Sequence, residues 1–585
     1  MKTSVLYCCA ALSVATFAAS SASAQTPTIG AIVHAATYSP PGIPNSAIPE
    51  GGFFAIFGTN MGPAAGAFNS GAFQTTLSGV SLTLTAGGNA VTPGPLLYFV
   101  SGGQINGVLP SATPVGPATM TVTYTGGTST AFAFTVVQSN FGFFTLNASG
   151  TGPAIVQDYT NNSSLNSLTA TAKPGDTLII YGTGLGPAVG DVDETSTGLA
   201  GGVGTDLRTA DNLDFHLYLA GTEYPTDVLY AGRSTNVAED QINFTLPSNA
   251  PTGCFIPLII RIGSVVSNSA SIAINANGTT CSDPYGLTSA QINQAATGTL
   301  NVGSILLTRL ALNLGLPIPE TEDDAEAHFY KFTGGTVLTN PDFLSLSSYG
   351  SCEIATCSNT YTCVPSAAGL PLPGLDAGSS LSVSGNGAPT TSIPSAGSGF
   401  YDVKLGSSPL KIGTYPMLNF LAPGTYTVSG TGGADVQAFS ASITVPGIPN
   451  VTSTAFTWSS PQFSVSSATA SRANPIQVNW QNAGSTGYML ISVGSSYEIP
   501  GSNPANYNSA TITCLQPASA GTYTIPSWLL EALPASASVS VGGLNLPGAA
   551  VLLGLYNPVG TFTAPGLDVG LANSILTSGQ DVALQ

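Results

Sequence analysis

The chain has 585 residues, of which 43% are hydrophobic and only 6% are charged, and 28 acids against 10 bases give a formal charge of -18. This length is enough for about four domains, and the apolar content is sufficient for each of them to bury a core. Because no cluster of lysine or arginine is present to neutralise phosphate groups, the composition argues against nucleic acid and anionic lipid as partners.

Residues 1–24 are predicted to be a secretory signal peptide. Lys2 precedes an apolar run from Val5 to Ala19, and the small residues Ala22 to Ala24 form the expected cleavage site. No later run is long and apolar enough to predict a membrane span in the mature chain. We therefore expect a protein that is secreted or held at the cell surface.

A stretch of ten residues occurs twice in the first half of the chain. Phe57–Gly66 and Tyr181–Gly190 share the glycine loop Gly-Thr-x-x-Gly-Pro, and each copy is followed by a Gln-Ile-Asn segment, at Gln104–Asn106 and at Gln241–Asn243. The glycine loops are 124 positions apart and the Gln-Ile-Asn segments 137 apart, so the second copy has 13 additional residues between them. Two landmarks in the same order indicate a tandem duplication.

Hydrophobic residues alternate with polar ones in both copies. In the first copy Val80, Leu82 and Leu84 alternate with Ser and Thr, as do Met120 and Val122. This period of two predicts half-buried antiparallel strands, and the glycine- and proline-rich turns between them are typical of a β-sandwich. We therefore predict two sandwiches in tandem, repeat 1 at residues 25–138 and repeat 2 at residues 139–278.

The residues of the first half carry a family resemblance. Pro174–Gly186 resembles the opening strands of IPT/TIG-type immunoglobulin-like domains. Together with His34–Tyr38 and both Gln-Ile-Asn segments, it is similar to secreted proteins of soil Acidobacteria, in which an Asn usually stands at the position of His34. The resemblance covers roughly residues 28 to 277. It implies immunoglobulin-like sandwiches and an exported location, and it brings no catalytic residue with it.

The second half departs from the repeat pattern. We predict a divergent β-rich domain at residues 279–447 and a C-terminal β-rich domain at residues 448–585. A short helix is expected at Ser289–Ala296, a helix or strand at Ser304–Leu312, and the clearest strands at Thr425–Ser429 and Phe439–Val445. The expected fold class is all-β, with tandem immunoglobulin-like β-sandwiches followed by further β-rich domains.

Six cysteines remain after removal of the signal peptide, and an even number in an exported chain favours disulfides over free thiols or a metal site. Cys254 precedes one strand-like run and Cys281 follows the run expected to return beside it, so these two are predicted to pair. Cys514 is then expected to take one partner from the group Cys352, Cys357 and Cys363.

The glycine loop has the composition of a phosphate-binding loop but not its context. A nucleotide loop continues into a helix N-terminus or a lysine, and Pro187 and the residues after it supply neither. The favoured interpretation is structural, with glycine adopting a positive φ in a tight turn while Met61 and Leu185 close the end of each sandwich.

The Gln-Ile-Asn segments place two amides on one face of a strand. Such paired amides can bind sugar hydroxyls, but the favoured interpretation is that they satisfy the backbone of a neighbouring loop. The third occurrence, Gln291–Asn293, lacks the other landmarks and is attributed to chance. Tyr497 and Tyr507 lie in polar, loop-like sequence, where exposed rings are a second candidate for sugar stacking.

Acidic clusters are the preferred candidates for ligand contact. Asp191, Asp193, Glu194 and Asp211 lie in the enlarged part of repeat 2, and a second cluster runs from Glu320 to Glu326. Neither matches the spacing of an EF-hand. We expect solvated acidic loops, with the first four acids contacting ligand and a structural Ca²⁺ as a possible mediator; no other cofactor is expected.

No catalytic motif is present. The three histidines are His34, His216 and His328, and neither a Gly-x-Ser-x-Gly elbow nor a His-Glu-x-x-His motif occurs. We therefore expect no enzyme, but a secreted or cell-surface binding or structural protein that recognises an extracellular glycan or protein through sandwich loops. The alternative is an extracellular carbohydrate-active hydrolase with paired carboxylates in the C-terminal half.

Overall fold

The computed structural model describes residues 25–187, 204–210, 212–282, 286–313, 320–333, 350–360, 372–408, 416–458, 468–502, 505–541, 544–557 and 560–585. The structure is 54% strand and 4% helix, which confirms the all-β fold class. Within these residues the helices are Leu207–Ala210, Ser289–Thr297 and Ser527–Leu530, with a 3₁₀ turn at Ala518–Ala520. The predicted signal peptide lies outside the described residues. None of the described helices is both long and apolar enough to cross a membrane.

Repeat 1 is a two-layer sandwich. One sheet has the order β1-β3-β9-β8-β4 and the other β2-β12-β10-β6-β5, and apolar side chains from both, such as Phe54, Ile105 and Met120, share one core. Its strands are β1 (Thr28–His34), β2 (Ile48–Pro49), β3 (Phe53–Thr59), β4 (Ala67–Phe68), β5 (Thr76–Leu77), β6 (Val80–Ala86), β7 (Asn89–Ala90), β8 (Leu96–Val100), β9 (Gln104–Val108), β10 (Gly116–Tyr124), β11 (Gly127–Thr128) and β12 (Phe132–Val137).

Repeat 2 has the same arrangement. Its sheets are ordered β16-β15-β17-β21-β20 and β14-β24-β22-β18-β19, around a core that includes Ile180, Ile242 and Ile260. Its strands are β13 (Gly142–Phe143), β14 (Gly152–Pro153), β15 (Val156–Asp158), β16 (Ser164–Leu165), β17 (Thr177–Thr183), β18 (Phe215–Leu219), β19 (Thr222–Glu223), β20 (Val228–Arg233), β21 (Asp240–Thr245), β22 (Gly253–Ile262), β23 (Val265–Val266) and β24 (Ala270–Ile274).

The two repeats have the same strand register. Phe57 of β3 pairs with Gln104 of β9, and Tyr181 of β17 pairs with Gln241 of β21. Each repeat also has one short parallel pair at the equivalent place, β2 with β12 and β14 with β24. The landmarks found in the sequence therefore occupy equivalent strands, as a duplication requires.

The glycine loops are tight turns with positive φ angles, as the structural interpretation of the sequence predicted. Gly184 and Gly186 have φ of 103° and 105°, and Asn60, at the position equivalent to Gly184, has φ of 56°. Met61 and Leu185 are buried in the cores of their repeats. The loop of repeat 2 also lies close to the linker between the repeats, because a Cβ on Gly184 would be 2.1 Å from the carbonyl oxygen of Asn140.

Replacing Gly184 by Ala should therefore destabilise repeat 2 strongly. The change combines an unfavourable φ with a clash against backbone, and we expect a loss of about 3 kcal/mol or more in the free energy of unfolding. Gly263→Ala is the matched control, because Gly263 also has a positive φ (58°) but no neighbouring atom within 4 Å of an added Cβ. Urea unfolding of both variants measures the difference, and equal losses would contradict the role assigned to the contact with Asn140.

His34 and Asn140 join the two repeats. The His34 Nδ1 accepts the backbone N–H groups of Ala36 (3.1 Å) and Thr37 (3.2 Å), so the proton is on Nε2, which donates to the Asn140 carbonyl oxygen at 2.9 Å. Complete burial lowers the pKa of His34 to about 4, because the charged imidazole is disfavoured away from water. The Asn140 N–H in turn donates to the carbonyl oxygen of Gly184 at 2.8 Å.

Acidification should therefore weaken this junction. An unfolded His34 binds its proton near pH 6.5 and the folded one only near pH 4. The unfolded state thus takes up more protons in that window, and the free energy of unfolding falls as the pH drops through it. His34→Asn retains an acceptor for the Ala36 and Thr37 N–H groups and does not titrate, so it should remove this acid loss of up to about 3 kcal/mol. Urea unfolding between pH 4 and 7 tests this; parallel pH profiles of variant and wild type would refute it.

The described part of the C-terminal region is organised around one sheet of 14 strands, ordered β27-β37-β36-β41-β43-β25-β26-β30-β29-β28-β31-β32 with β34 and β42 at its side. The region's strands are β25 (Thr299–Asn313), β26 (Glu320–Thr333), β27 (Cys352–Cys357), β28 (Ser380–Gly385), β29 (Ala388–Gly397), β30 (Phe400–Ser408), β31 (Gly424–Gly432), β32 (Gln437–Val445), β33 (Asn450–Ser453), β34 (Ala468–Ala470), β35 (Ile476–Gln481), β36 (Tyr488–Glu498), β37 (Tyr507–Pro517), β38 (Thr522–Ile525), β39 (Ser538–Val541), β40 (Leu544–Pro547), β41 (Ala549–Tyr556), β42 (Gly560–Thr561) and β43 (Val569–Leu584).

Strands from both sides of residue 447 share this sheet. Its centre is the parallel pair of β25 with β43, the first and last strands of the region, and β27 pairs with β37. The helix expected near residue 289 is present, and the segment at Ser304–Leu312 is a strand. The division into domains at residues 447 and 448 remains a prediction.

Two of the disulfides lie at the expected places within the described residues. Cys254 and Cys281 are bonded, and Cys352 on β27 is bonded to Cys514, its direct partner on β37. Cys357 is disulfide-bonded as well. Cys363 lies outside the described residues.

The C-terminal region also contacts both repeats. The Tyr218 ring of repeat 2 stacks on Trp528 with ring centres 3.9 Å apart. A Cβ on Gly42 of repeat 1 would lie 2.1 Å from the Tyr497 ring, and the Asn508 side-chain nitrogen donates to the Pro41 carbonyl oxygen at 2.8 Å. Tyr497 and Tyr507 are therefore half-buried strand residues, and the expectation that they are exposed loop aromatics is wrong.

Candidate functional site

Each Gln-Ile-Asn segment forms an amide pair on the outer face of its repeat. The central residues Ile105 and Ile242 are fully buried, so the alternation of the strand directs the flanking Gln and Asn outward. In repeat 1 the Gln104 Nε2 donates to the Asn106 Oδ1 at 2.8 Å, and in repeat 2 Gln241 donates to Asn243 at the same distance. The expectation that these amides bind the backbone of a neighbouring loop is therefore wrong.

Aromatic rings flank both amide pairs at equivalent positions. In repeat 1 Phe57 is the cross-strand partner of Gln104 and Phe99 is the partner of Asn106. In repeat 2 the corresponding partners are Tyr181 for Gln241 and Tyr230 for Asn243. Direct cross-strand partners point to the same side of a sheet, so each amide pair lies between two rings. We call these four residues of each repeat its amide–aromatic face.

A bulge in the strand beside each amide pair exposes a further side chain. The register of β8 shifts between Leu97 and Phe99, and that of β20 between Val228 and Tyr230. The residues within the bulges, Tyr98 and Leu229, are 38% and 57% exposed. Bulges are a common way of redirecting a side chain at a functional surface.

Repeat 1 extends its face with additional rings. Phe68, which is 67% exposed, lies 4.5 Å from Phe99 and 5.8 Å from Tyr98 between ring centres. Phe73 and Phe53 continue the cluster beyond Tyr98, at 5.4 Å and 6.3 Å. Exposed aromatic clusters of this kind mark binding surfaces more often than isolated exposed rings do.

The face of repeat 1 is also uncharged. Glu50 is the one Asp, Glu, Lys or Arg residue between residues 25 and 138. It lies in the turn before β3, and burial raises its pKa to about 7. In repeat 2 the corresponding edge includes the Arg233–Asp240 ion pair, buried at 2.8 Å, where repeat 1 has Gly102 and Gly103.

All four acids preferred from the sequence lie outside the described residues: they are Asp191, Asp193, Glu194 and Asp211. Their role in contacting ligand or Ca²⁺ therefore remains a prediction. Among the residues that the structure does describe, no group of three or more His, Cys, Asp or Glu side chains is arranged to hold a metal ion.

The second acidic cluster is not a solvated loop. Residues Glu320–Thr333 form strand β26, and Asp323 is buried opposite Arg309 of β25. The Arg309 guanidinium donates to both Asp323 carboxylate oxygens at 2.7 and 2.6 Å. Asp323 also accepts the backbone N–H groups of Phe420 and Leu421 at 2.8 Å each. This acid has a structural role in the large sheet.

Asp323→Ala should therefore destabilise the C-terminal sheet by about 3 to 5 kcal/mol, because it leaves a buried guanidinium without its carboxylate. Asp324→Ala is the matched control on the next position, where the carboxylate is 17% exposed and lies 3.3 Å from the Lys404 ammonium, which is 41% exposed. We expect a loss of about 2 kcal/mol or less there, because the lysine left without its partner remains in contact with water. Thermal unfolding followed by circular dichroism compares the two variants. A loss at Asp324 as large as that at Asp323 would contradict this assignment.

One carboxylate pair in the C-terminal half is suited to comparison with a glycosidase. Glu326 of β26 is the cross-strand partner of Asp402 of β30. The adjacent His328 imidazole lowers the pKa of Glu326, and so keeps it ionised. A glycosidase needs a carboxyl group that stays protonated to act as general acid, with a raised pKa. Glu326, whose pKa is lowered, is therefore not suited to act as the general acid.

Comparisons with known proteins identify no family for this chain. No protein-family model matches the chain, and no curated protein matches it significantly. Solved structures with some similarity include SGBP-B from the mixed-linkage glucan utilization locus of Bacteroides ovatus, in complex with a mixed-linkage heptasaccharide. It is 11% identical, with 86% of this chain and 98% of that chain covered and a TM-score of 0.13.

Two other structures are domains 5–6 of the S-layer protein SbsC and immunoglobulin domains 1–4 of Sidekick-1. SbsC is 14% identical, with 43% of this chain and 98% of that chain covered and a TM-score of 0.15. Sidekick-1 is 10% identical, with 93% and 97% covered and a TM-score of 0.12. These values carry no argument about ligand or activity. The sheets themselves define the class: an all-β protein with tandem immunoglobulin-like sandwiches and a β-rich C-terminal region.

The sequence alone indicates some of the residues that form the amide–aromatic faces. Aligning the two glycine loops places Phe57 over Tyr181 and the two Gln-Ile-Asn segments over each other. Phe99 and Tyr230 were missed, because their equivalence depends on a bulge that the sequence does not show.

Proposed function

We propose that this chain is an exported binding protein, and that its two repeats recognise an extracellular ligand through their amide–aromatic faces. The observation that carries the proposal is the duplication of one arrangement, an amide pair between two rings, in the same register. Disulfides at Cys254–Cys281 and Cys352–Cys514 support an oxidising, extracytoplasmic location.

Binding accounts for the faces better than structure alone. Buried amides are retained in a fold because they satisfy other groups, whereas these amides are half-exposed and bond to each other. One such bond leaves the Asn amide nitrogen and the Gln carbonyl oxygen with capacity to bind a ligand. Aromatic side chains provide contact area at a low cost in conformational entropy.

The double variant Asn106→Ala/Asn243→Ala tests the proposal. We expect the mature wild-type chain to bind at least one component of an array of extracellular polysaccharides and proteins, and the double variant to bind it at least tenfold more weakly, because each face loses its amide donor. The matched control is Asn89→Ala, an exposed asparagine in a hairpin of repeat 1. Unfolding midpoints of all three proteins are measured alongside.

Unchanged binding by the double variant would show that the faces are not the binding sites. Turnover of a polysaccharide or ester substrate by the purified chain would show that binding is not its whole activity.

A further inference from the structure

We propose that the face of repeat 1 is the primary site and that its ligand is a neutral glycan, bound with its sugar rings against Phe57, Phe99 and the exposed rings beside them. This assignment rests on the proposed binding function and adds the chemical class of the ligand. It also ranks the two faces.

The first argument is the hydrogen-bonding chemistry of the face. A sugar hydroxyl both donates and accepts, and the amide pair offers both kinds of group, the Asn106 nitrogen and the Gln104 carbonyl oxygen, within one rigid unit. The rings on either side supply flat apolar surfaces for the C–H faces of a pyranose. A few placed polar groups among aromatic side chains are typical of sites that orient a small polar ligand.

The second argument is charge. Repeat 1 has Glu50 as its single charged residue of the Asp, Glu, Lys and Arg types, and that carboxyl group has a pKa near 7 and lies in the turn before β3. A uronic acid or sulfated chain would find no cation here to pair with, and a basic peptide would find no anion on the strands of the face. The uncharged surface therefore complements an uncharged polymer.

The third argument excludes an extended peptide added as a strand. Both β3 and β9 are internal strands of their sheet, with β1 and β8 as their outer neighbours. Their backbone N–H and C=O groups are already paired, so strand addition, which needs a free edge, has no place at the amide pair. Recognition must come from side chains, as it does for glycans bound on a sheet face.

The ranking of the faces follows from their differences. Repeat 1 has Tyr98 in its bulge and Phe68 beside it, whereas repeat 2 has Leu229 in the equivalent bulge. In repeat 2 the two flanking hydroxyls are also engaged, Tyr181 with the Gln157 side chain and Tyr230 with the Arg233 carbonyl oxygen. Repeat 1 therefore offers more ring surface to a ligand.

Affinity electrophoresis of the full mature chain tests the proposal. The gels contain hydroxyethyl cellulose, xylan, galactomannan or dextran as neutral probes, and alginate or polygalacturonate as acidic probes. We expect retardation by at least one neutral polysaccharide and none by the acidic ones. Asn106→Ala should raise the apparent Kd about tenfold, the effect of losing one hydrogen bond together with its desolvated partner, and the matched change Asn243→Ala should raise it less than threefold.

Tyr98→Ala is a second variant that leaves the amides intact. Because Tyr98 is 38% exposed and its ring adjoins those of Phe68 and Phe73, its removal should weaken binding several-fold. Binding is therefore compared at a temperature well below the unfolding midpoint of each protein, so that lost ring packing is not mistaken for lost binding. Asn89→Ala should leave binding unchanged. Binding should also be the same in EDTA, because this face has no carboxylate for Ca²⁺; loss of binding in EDTA would assign the site to acidic loops and overturn the proposal.

The remaining outcomes separate this inference from the proposed function. If no neutral polysaccharide is bound but an array protein is bound in a manner that depends on Asn106, the glycan assignment is wrong and the binding function stands. If Asn243→Ala has the larger effect, the ranking of the faces is wrong. If polysaccharide binding is the same in the wild type and in Asn106→Ala/Asn243→Ala, both the inference and the proposed function are wrong.

Discussion

The register between the strand that enters the glycine loop and the Gln-Ile-Asn strand determines the geometry of both repeats. Because Ile56 pairs with Ile105, and Ile180 with Ile242, one apolar pair points into each core and the amides beside it point outward. A slip of one residue would bury the amides and expose the isoleucines. The hydrophobic core thus selects the register, and the register in turn places the rings beside the amides.

The glycine loop that follows β3 or β17 helps to fix that register. Met61 and Leu185 insert into the two cores, and the backbone between strand and loop adopts a positive φ that Asn60 and Gly184 accommodate. In repeat 2 the loop also lies against Asn140, whose carbonyl oxygen accepts a hydrogen bond from His34 of repeat 1. The glycine loop of repeat 2 therefore also contributes to the contact between the two repeats.

The scarcity of charge has different consequences in different parts of the molecule. In repeat 1 it leaves an uncharged surface of amides and rings. Elsewhere two of the ion pairs are buried, Arg233 with Asp240 and Arg309 with Asp323. Removing one member of such a pair is costly because the other then stays buried alone. An acidic side chain in this protein can therefore be buried and paired. Glu320–Glu326 was wrongly expected to be a solvated loop, because its acids were assumed to be exposed.

The sequence alone determined the duplication, the strand alternation, the cysteine pair Cys254–Cys281 and the burial of Met61 and Leu185, because each depends on local periodicity or on comparison of the two copies. The tertiary structure decided which residues meet across strands. Arg309 lies opposite Asp323, Phe99 reaches Asn106 through a bulge, and β25 pairs with β43 although more than half of the C-terminal region's residues separate them in the chain. Strand pairing is made by backbone groups that are the same in nearly every residue. A strand therefore does not specify its partner in its own sequence, and long-range pairings follow only from packing of the complete core.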